Sequence, residues 1–456
     1  MRYVSTRGDG VPLSFQQVVL AGLARDGGLY LPEEIPSVTD KISAWRQLRY
    51  QDLAVEVMSL FADDIPAGEL RKIVEKSYAV FREEAVTPLR QVGPLYILEL
   101  FHGPTLAFKD VAMQFLGNLF EYVLAENRAE MNIVAATSGD TGSAAINGMR
   151  GRKGIRTFVM FPFGRVSPVQ ERQMTTVLDD NVFTLSVHGT FDDCQNIVKS
   201  LFNDLPFRDA CKLGAVNSIN WARIVAQVVY YFYASLQLQK LGYDQTDITV
   251  PTGNFGNIFA GYLAQKMGAP IRHLVLATNE NDILYRYFQT GIYSTGTVVP
   301  TISPSMDIQV ASNFERYLYY LAGENGETVR RWMESFRATG KLQPDRSPDP
   351  LFRTGRADTQ QTLDTIRDFW KKHRYLLDPH TAVGVSVSLR SKEEGTPILA
   401  LATAHPAKFG GAIQRATGED LAHHPILDAL MELPTRVREM PSDVRAVGEY
   451  IRSVVR

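Results

Sequence analysis

Short apolar runs alternate with segments of helical spacing from about residue 95 to the end of the chain. The runs are rich in β-branched residues, as expected for buried strands. In the segments between them, apolar positions recur every three to four residues, as on the buried face of a helix. Strands separated by helices predict α/β units on a largely parallel sheet. The predicted strands cover residues 96–100, 132–136, 157–161, 182–187, 248–250, 273–277 and 397–403.

The first 90 residues have a different pattern, in which helical spacing dominates. It predicts helices over residues 15–24, 45–61 and 68–81, with a turn at 26–28. We interpret these residues as one mostly helical unit. The polar stretch at 340–360 is rich in proline and arginine, and it is predicted to be a long surface excursion.

Composition narrows the class of protein without indicating its chemistry. The chain has 456 residues, of which 45% are hydrophobic and 21% charged, which predicts two or three globular domains. A formal net charge of −2 gives no basic surface for nucleic acid or for an anionic membrane. No run approaches the ~18 apolar residues of a membrane span. Cys194 and Cys211 lack disulfide or zinc spacing and are interpreted as buried thiols, so a cytoplasmic setting is expected.

Lys109 is the most informative residue of the segment FHGPTLAFKD, residues 101–110. Apolar residues precede it, and Val111, Phe115 and Leu119 lie on one face of the helix predicted after it. A lysine in the first turn of a helix faces the positive end of the dipole, and apolar neighbours add desolvation. Both effects lower the pKa of the amine, and Schiff-base formation requires a neutral amine. The alternative is a surface lysine at a helix end.

Two glycine-containing turns have the pattern of anion-binding loops. Residues 138–141 (SGDT) and 253–257 (GNFGN) each lie between a predicted strand and a predicted helix. Glycine lets backbone N–H groups face an anion, and the helix N-terminus adds positive potential. Neither turn matches the dinucleotide or P-loop fingerprint. An ordinary strand-to-helix turn with a polar cap is the alternative for both.

Other polar segments are candidates for contacts with phosphate or carboxylate. Arg223 ends the segment NSINWAR, and its guanidinium offers a fork of donors. Residues 312–316 form a similar segment, and for both the alternative is a helix cap followed by an exposed arginine. The sequence has no metal-binding histidine pair and no GxSxG elbow, so metal catalysis and serine hydrolysis have no support. Three loop histidines are interpreted as structural, with anion contacts as the alternative: His102, His380 and His405.

These segments together indicate a cofactor. A lysine suited to a Schiff base, with several anion-binding loops, points to pyridoxal phosphate and an anionic amino-acid substrate. The chain resembles the threonine synthase family in its long bacterial and fungal form, within the tryptophan-synthase-β-like enzymes. The matching segments follow the expected order over nearly the whole chain: YVSTRG (3–8), GLA (22–24) with DGGLY (26–30), FHGPTLAFKD (101–110), ATSGDTGSAA (136–145), VNSINWAR (216–223), PTGNFGN (251–257), DPHTAVG (378–384) and LATAHPAKF (401–409).

The resemblance implies an architecture and a reaction. The fold would be that of a fold-type-II pyridoxal-phosphate enzyme, with two open α/β sheet domains and an N-terminal mostly helical domain. The N-terminal domain would be 1–90, the large α/β domain 91–110 with 216–456, and the smaller α/β domain 111–215. The enzyme would convert O-phospho-L-homoserine and water to L-threonine and phosphate, the last step of threonine biosynthesis, by γ-elimination and then β-addition of water.

The resemblance also implies roles for particular residues. Lys109 would carry the cofactor and move protons at the substrate's Cα, Cβ and Cγ. Arg223 and its neighbours would stabilise the departing phosphate. Asp140 puts a negative group near the substrate carboxylate, so the backbone amides of its turn are expected to matter more than its side chain. The cofactor residues would be Lys109, Gly253, Asn254, Phe255, Gly256, Asn257 and, at the pyridine nitrogen, Thr403. The substrate residues would be Thr105, Ser138, Gly139, Asp140 and Thr141, with Asn217, Ser218, Asn220 and Arg223 for the phosphate.

Three other interpretations fit parts of the same pattern. A phospholyase would release 2-oxobutyrate and ammonia instead of threonine. A non-catalytic protein would bind pyridoxal phosphate without turnover. A plain α/β phosphate-binding module would lack the cofactor altogether. In every case no metal is expected, and the chain is expected to act as a monomer or a small homo-oligomer.

Overall fold

The computed structural model describes residues 1–8 and 10–455. Its strands, in chain order, are β1 Tyr3–Ser5, β2 Tyr30–Pro32, β3 Leu89–Val92, β4 Leu95–Glu99, β5 Met131–Ala136, β6 Ile155–Pro162, β7 Val182–His188, β8 Leu213–Gly214, β9 Thr246–Pro251, β10 Ile271–Thr278, β11 Tyr293–Ser294, β12 Lys341–Leu342, β13 Phe352–Arg356, β14 Ile398–Ala402 and β15 Arg438–Pro441.

Helices connect most of these strands, and two 3-10 turns lie at Pro304–Met306 and Pro406–Phe409. The α-helices are α1 Phe15–Ala21, α2 Ile42–Trp45, α3 Tyr50–Ser59, α4 Ala67–Tyr78, α5 Lys109–Glu126, α6 Asp140–Met149, α7 Pro168–Thr175, α8 Phe191–Asn203, α9 Leu205–Ala210, α10 Trp221–Lys240, α11 Gly256–Met267, α12 Ile283–Thr290, α13 Phe314–Leu321, α14 Gly326–Thr339, α15 Thr359–His373, α16 Pro379–Ser391, α17 Gly410–Thr417, α18 Pro425–Leu430 and α19 Val444–Val455.

Two open sheets form the frame of the molecule. In the described residues the larger sheet has six strands in the order β13-β10-β9-β14-β4-β3, with β3 antiparallel to β4 and the other pairs parallel. The smaller has five parallel strands in the order β15-β7-β6-β5-β8. Parallel strands covered on both faces read as continuous apolar runs, and β4, β9 and β14 are buried at every position. The predicted α/β fold is confirmed, and each predicted strand has a counterpart.

The carboxyl ends of four parallel strands lead into the candidate segments. Ligands of open α/β sheets bind outside these ends, where neighbouring loops diverge. In the larger sheet, β4 precedes the lysine segment, β9 precedes the turn at 253–257, and β14 precedes Thr403. In the smaller sheet, β5 precedes the turn at 138–141. The topology therefore directs segments from distant parts of the chain to one region.

The stretch at 340–360 differs from its prediction as a surface excursion. It contains β12 and β13, and β13 pairs in parallel with β10, with Phe352 opposite Leu274. This strand forms an edge of the larger sheet, and an edge strand can be polar because one side of it faces solvent. Its sequence FRTGR therefore lacks the apolar run that identifies a buried strand. The helix predicted over 45–61 is divided into α2 and α3, because Arg49 has an extended backbone (φ −69°, ψ 163°).

The C-terminal end of the chain joins the smaller sheet. β15 pairs in parallel with β7, with Met440 opposite Val187. Helix α19 packs its Val447 and Ile451 into the apolar cluster that also contains Ile197 of α8. The predicted boundaries placed all of 216–456 in the large domain. Because β15 pairs with a strand of the smaller sheet, we propose that residues 438–455 belong to the smaller domain, and the boundaries stay predictions.

The N-terminal residues share a core with the large sheet. One buried cluster runs from Tyr3 and Phe61 through Trp221 of α10 to Leu399 of β14. The Trp221 ring lies edge-on to Tyr3 and to Phe61, with centroids 5.9 Å apart in both pairs. Residues 1–90 therefore pack directly on the helices behind the sheet. No helix among residues 1–8 and 10–455 is both long and apolar enough for a membrane crossing.

Candidate active site

Lys109 is the first residue of α5 and lies beside the segment that follows β14. Leu106 has a left-handed backbone (φ 62°), which turns the preceding loop toward that segment. The N–H of Phe108 donates to the Thr403 carbonyl at 2.8 Å, and the N–H of His405 donates to the Leu106 carbonyl at 3.0 Å. These bonds hold Lys109 and Thr403 next to each other.

The Lys109 amine lies in a buried pocket with charges of both signs. Its Nζ donates to Ser305 Oγ at 3.3 Å and lies 3.7 Å from Asp140 Oδ2. Burial lowers the pKa of Lys109, the Asp140 carboxylate opposes this, and the positive charges of Lys408 and Arg223 lower it further. The net pKa is below the ordinary lysine value, so the structure supports the direction expected from sequence.

The loop before Lys109 is fixed by Asp110. This carboxylate accepts the backbone N–H and the hydroxyl of Thr105, each at 2.7 Å. The Thr105 carbonyl accepts from Lys408 Nζ at 2.8 Å and from Gln173 Nε2 at 2.9 Å. Thr105 is fully buried, and its polar groups all have protein partners. The structure therefore places it in the framework under the lysine.

The turn at 138–141 opens α6. Thr137 Oγ1 accepts from Gly139 N at 3.0 Å and from Gly142 N at 2.8 Å, which curls the backbone tightly. Gly139 has φ 148°, and a Cβ there would lie 2.6 Å from the Gln170 amide. The first N–H groups of a helix lack intrahelical partners, so those of α6 can receive a carboxylate.

The Asp140 side chain is buried among the polar groups around Lys109. Its Oδ1 accepts from Lys408 Nζ at 2.7 Å and from Gln170 Nε2 at 2.8 Å. Burial alone would raise the pKa of Asp140, but Lys408 and Lys109 outweigh it and hold that pKa far below its usual range. The carboxylate is therefore ionised, with Lys408 as its nearest charged partner.

The turn at 253–257 has the shape of a phosphate-binding loop. Phe255 has a left-handed backbone (φ 64°) immediately before α11 begins at Gly256. A Cβ on Gly253 would lie 2.6 Å from the Ser305 carbonyl, so glycine is required there. The Asn254 carbonyl accepts from the backbone N–H of Asn313 at 3.0 Å, which fixes the loop from outside.

Asn257 supplies an unused donor at this loop. Its Oδ1 accepts from the Tyr231 hydroxyl at 2.9 Å and also from the Tyr230 hydroxyl, which orients the amide. The Nδ2 atom is buried and has no hydrogen-bond partner among the described residues. A buried donor without an acceptor destabilises a protein by about 1–3 kcal/mol. A cofactor phosphate bound at the loop would accept a hydrogen bond from this donor, so these residues are compatible with pyridoxal phosphate.

Arg223 is a buried cation without an anion in the described part of the chain. The residue is 4% exposed, and its Nη1 donates to the Val216 carbonyl at 3.1 Å. Its Nε is buried without a hydrogen-bond partner, and none of the ion pairs among the described residues includes it. Burial lowers the pKa of Arg223 to about 10. An unpaired buried guanidinium is suited to a phosphate that arrives as substrate.

The residues before Arg223 divide between exposed and structural roles. Asn217 is exposed, and the Ser218 hydroxyl lies 3.0 Å from that of Ser312. Asn220 caps α10 by accepting from Ala222 N at 3.1 Å, and its Nδ2 donates to the Val19 carbonyl at 2.9 Å. Both ends of the Asn220 amide are thus bonded to protein.

Sequence reasoning missed several polar groups around Lys109. Ser305 bonds the Lys109 amine, and its own N–H donates to His380 Nε2 at 3.2 Å. His380 Nδ1 in turn lies 2.9 Å from Asp378 Oδ1, so this histidine positions Ser305. Lys408 lies inside a matching segment but had no assigned role. Its only sequence signal is a lysine within the loop that follows a buried strand.

The segment 312–316 supports the site from behind. Arg316 is fully buried and donates to the carbonyls of Tyr30 at 3.0 Å and Ile219 at 2.6 Å. Glu315 pairs with Arg7 at 2.9 Å, and both side chains are nearly buried. These contacts join the N-terminal residues to the segment that carries Arg223.

Three family models match successive parts of the chain. The model described as threonine synthase N terminus matches residues 2–78, and the one described as pyridoxal-phosphate dependent enzyme matches residues 80–344. The model described as threonine synthase, C-terminal, matches residues 381–451.

Curated relatives and solved structures agree with these models. The threonine synthases of Pseudomonas aeruginosa and Saccharomyces cerevisiae are each 47% identical to this chain over 99% of its length, covering 98% and 97% of their own lengths. The crystal structure of PLP-bound threonine synthase from Brucella melitensis superposes with a TM-score of 0.96 at 48% identity, with full coverage of both chains. The threonine synthase structure from yeast has a TM-score of 0.94 at 42% identity, covering 100% of this chain and 98% of its own.

Proposed function

The chain belongs to the threonine synthase family, and from this premise we propose which of its residues perform the reaction. It is a pyridoxal-phosphate-dependent lyase that converts O-phospho-L-homoserine and water to L-threonine and phosphate. The predicted fold-type-II architecture is confirmed by the same matches. One observation carries the residue assignments: the unpaired buried Arg223 is near enough to Lys109 for its charge to lower the pKa of that lysine.

We assign the cofactor to Lys109, the turn at 253–257 and Thr403. The glycines and the free Asn257 Nδ2 favour binding of the cofactor phosphate at the start of α11. Thr403 follows β14, and its backbone is fixed by Phe108 and by the Thr381 hydroxyl, which accepts its N–H at 3.1 Å. When bound, pyridoxal phosphate withdraws electrons from the substrate α-carbon. Thr403 would offer the pyridine nitrogen a hydroxyl instead of a carboxylate, so the acid–base groups of the protein would carry more of the proton transfer.

We assign the two anionic ends of the substrate to different elements. The N–H groups of residues 138–141, apart from that of Gly139, which donates to Thr137, receive its carboxylate, and the helix dipole favours this. Arg223, with Asn217 and Ser218, receives its phosphate. The guanidinium has no anionic partner among the described residues of the free protein, so the substrate phosphate supplies its first ion pair. This attraction becomes stronger as negative charge develops on the leaving group.

Lys109 is the proton-transfer group. Burial and two neighbouring cations lower the pKa of its amine below the ordinary value, which favours the neutral form that proton abstraction requires. From its position at the start of α5, the freed amine takes the proton at Cα and moves protons at Cβ and Cγ. Ser305 holds the amine by its hydroxyl. Asn220 and Thr105 keep the surrounding backbone in place instead of touching the substrate, because their polar groups are bonded to protein.

The test is to mix the purified protein with O-phospho-L-homoserine and to quantify threonine, phosphate and 2-oxobutyrate together. Equal amounts of threonine and phosphate with little keto acid are expected. Phosphate matched by 2-oxobutyrate would make the enzyme a phospholyase. A yellow protein that forms neither product would retain the cofactor assignment and refute the substrate assignment.

The enzyme acts on a small-molecule substrate. Its oligomeric state, its compartment and its lack of a nucleic-acid partner are our proposals. We propose a monomer or small homo-oligomer in the cytoplasm, with no nucleic-acid partner. The formal net charge of −2 supports the last point, because nucleic-acid binding requires a clustered positive surface. Size-exclusion chromatography with light scattering measures the oligomeric state.

A further inference from the structure

A second lysine occupies the pocket of Lys109, and none of the roles above uses it. The Lys408 side chain is 0% exposed and lies in the 3-10 turn Pro406–Phe409. Its Nζ lies 2.7 Å from Asp140 Oδ1 and donates to the Thr105 carbonyl at 2.8 Å. Burying a lysine so completely is unfavourable unless its charge is paired, and Asp140 supplies that pairing.

We propose that Lys408 is a positioning residue of the reaction: it neutralises Asp140 and holds that carboxylate away from the Lys109 amine and from the substrate carboxylate. The distances support this division of partners. Lys408 makes the direct contact with Asp140 at 2.7 Å, whereas Lys109 stays at 3.7 Å, beyond hydrogen-bond range. The inference rests on the proposed assignment of the α6 N-terminus to the substrate carboxylate.

The need for such a residue follows from the position of Asp140. This aspartate is the first residue of α6, within the turn assigned to the substrate carboxylate. An unpaired negative charge there would repel the substrate and cancel the attraction of the helix end. It would also pair with Lys109 and stabilise the protonated amine, which is the wrong state for proton abstraction. Lys408 weakens both effects, because it makes the closer contact with Asp140.

Lys408 also connects three elements whose relative positions the site requires. Through Asp140 it holds the start of α6, through the Thr105 carbonyl it holds the loop before Lys109, and its own backbone follows Thr403. Gln170 of α7 completes the arrangement by donating to the same Asp140 oxygen at 2.8 Å. One buried ion pair therefore links the cofactor segments of the larger sheet to the carboxylate turn of the smaller one.

The charged groups around Lys109 give the signs of the expected effects. Asp140 faces it from α6, Lys408 from the turn after β14, and Arg223 from α10, with the neutral Ser305 hydroxyl on the remaining side. Removing Lys408 leaves Asp140 to raise the affinity of the Lys109 nitrogen for a proton. Removing Asp140 leaves two cations that lower it.

The experiment compares Lys408→Met, Asp140→Asn and the double variant D140N/K408M as holoenzymes. Methionine keeps an unbranched apolar side chain and removes the charge, and asparagine keeps the shape of aspartate. The first measurement is a pH titration of the visible absorbance of the enzyme-bound cofactor, which does not depend on turnover. The second separates KM from kcat with O-phospho-L-homoserine. Lys76→Met is the matched control, because Lys76 pairs with Glu121 at 2.9 Å on the exposed surface.

In K408M we expect the pH midpoint of the cofactor band to rise by at least about one pH unit, and KM to rise at least about tenfold, because an unpaired charge acts strongly at low dielectric. In D140N the midpoint should fall. In the double variant both charges are gone, so the midpoint should return to within about half a pH unit of wild type and KM to within about threefold, a coupling that independent sites lack. K76M should match wild type.

Wild-type values for K408M, or a double variant no better than K408M, would overturn the inference. If K408M does not fold, D140N/K408M decides: a folded and active double variant supports neutralisation of Asp140. A double variant that also fails to fold would show that Lys408 serves only as an anchor for Thr105, and the inference would be wrong. Failure of wild type itself to form threonine would refute the proposed function instead, so the two failures are distinguishable.

Discussion

Replacement of Arg223 by methionine should make the enzyme more stable and nearly inactive. Burial lowers the pKa of Arg223 to about 10, which corresponds to roughly 3 kcal/mol against the charged form. Methionine removes that burden but leaves the Val216 carbonyl without its donor, at about 1–2 kcal/mol. The net gain in the free energy of unfolding is therefore about 1–2 kcal/mol. The loss of two charge-assisted contacts with phosphate, about 1.5–3 kcal/mol each, lowers kcat/KM by roughly 10²–10⁴.

Thermal unfolding of the holoenzyme and kcat/KM with O-phospho-L-homoserine measure the two effects separately. For a chain of this length the stability gain is a rise of roughly 1–2 °C in Tm. A variant that melts below wild type would contradict the claim that the guanidinium is unpaired. A variant that retains kcat/KM within about threefold would contradict the assignment of Arg223 to the phosphate.

Arg316→Met is the matched control, because both arginines are buried. Burial lowers the pKa of Arg316 to about 9, so burying the charged guanidinium is unfavourable at both positions and does not distinguish the two residues. Their hydrogen bonds do, because Arg316 donates to Tyr30, Ile219 and Asn313 and stacks near the Trp221 ring. Its loss leaves three acceptors unpaired at about 1–3 kcal/mol each. We expect R316M to melt below wild type, opposite in sign to R223M.

Three further predictions follow from single contacts. Lys109→Ala removes the covalent attachment of the cofactor, so the visible absorbance of the lysine-bound cofactor should disappear from the spectrum; its persistence would show that another group carries the cofactor. Gly253→Ala places a Cβ 2.6 Å from the Ser305 carbonyl, so a fluorescence titration should show pyridoxal phosphate binding weakened about tenfold or more, whereas Gly411→Ala, with nothing within 4 Å, should bind as wild type. The pKa of Asp140 is lower in the fold than in the unfolded chain, so its pairs stabilise the protein above about pH 4 and are lost as the pH falls; Tm of Asp140→Asn should decline less steeply than that of wild type between about pH 4 and pH 2.

The parts of the site that sequence predicted are those with a local physical signature. A buried parallel strand is a continuous apolar run, and an anion-binding turn places glycine between a strand and a helix. For Lys109 and for the turn at 253–257, the whole signature lies within a segment of about ten residues. The edge strand β13 does not, because its polar side chains face solvent, and its sequence cannot be distinguished from that of a loop.

The contacts that control the charge of the pocket have no local signature. Lys408 bonds the Thr105 carbonyl from 303 positions away, and Ser305 meets Lys109 from 196 positions away. Only the order of the strands brings these residues together. Their partners are a backbone carbonyl and a hydroxyl, which carry no pattern in the sequence. A residue that acts through the fold is therefore found only once the topology is known.

The same reasoning explains what the N-terminal residues contribute. Asn220 and Arg316 hold the backbone of the phosphate segment, and each has one acceptor in the first 31 residues, Val19 and Tyr30. Both amide and guanidinium are buried, so without these carbonyls each would retain an unmade hydrogen bond worth about 1–3 kcal/mol. The segment that carries Arg223 would then have to move to satisfy them.

An arginine kept unpaired for a substrate needs a rigid surrounding, because a flexible one would rearrange to solvate it or to pair it with a nearby carboxylate. Glu315 is a nearly buried carboxylate next to Arg316, in the segment that supports the phosphate residues from behind. Arg7 occupies that carboxylate at 2.9 Å, and the Thr6 hydroxyl donates to it as well. The residues that follow β1 thus neutralise a buried carboxylate and fix the backbone at the same time. Through such contacts residues 1–90 would preorganise the proposed phosphate site.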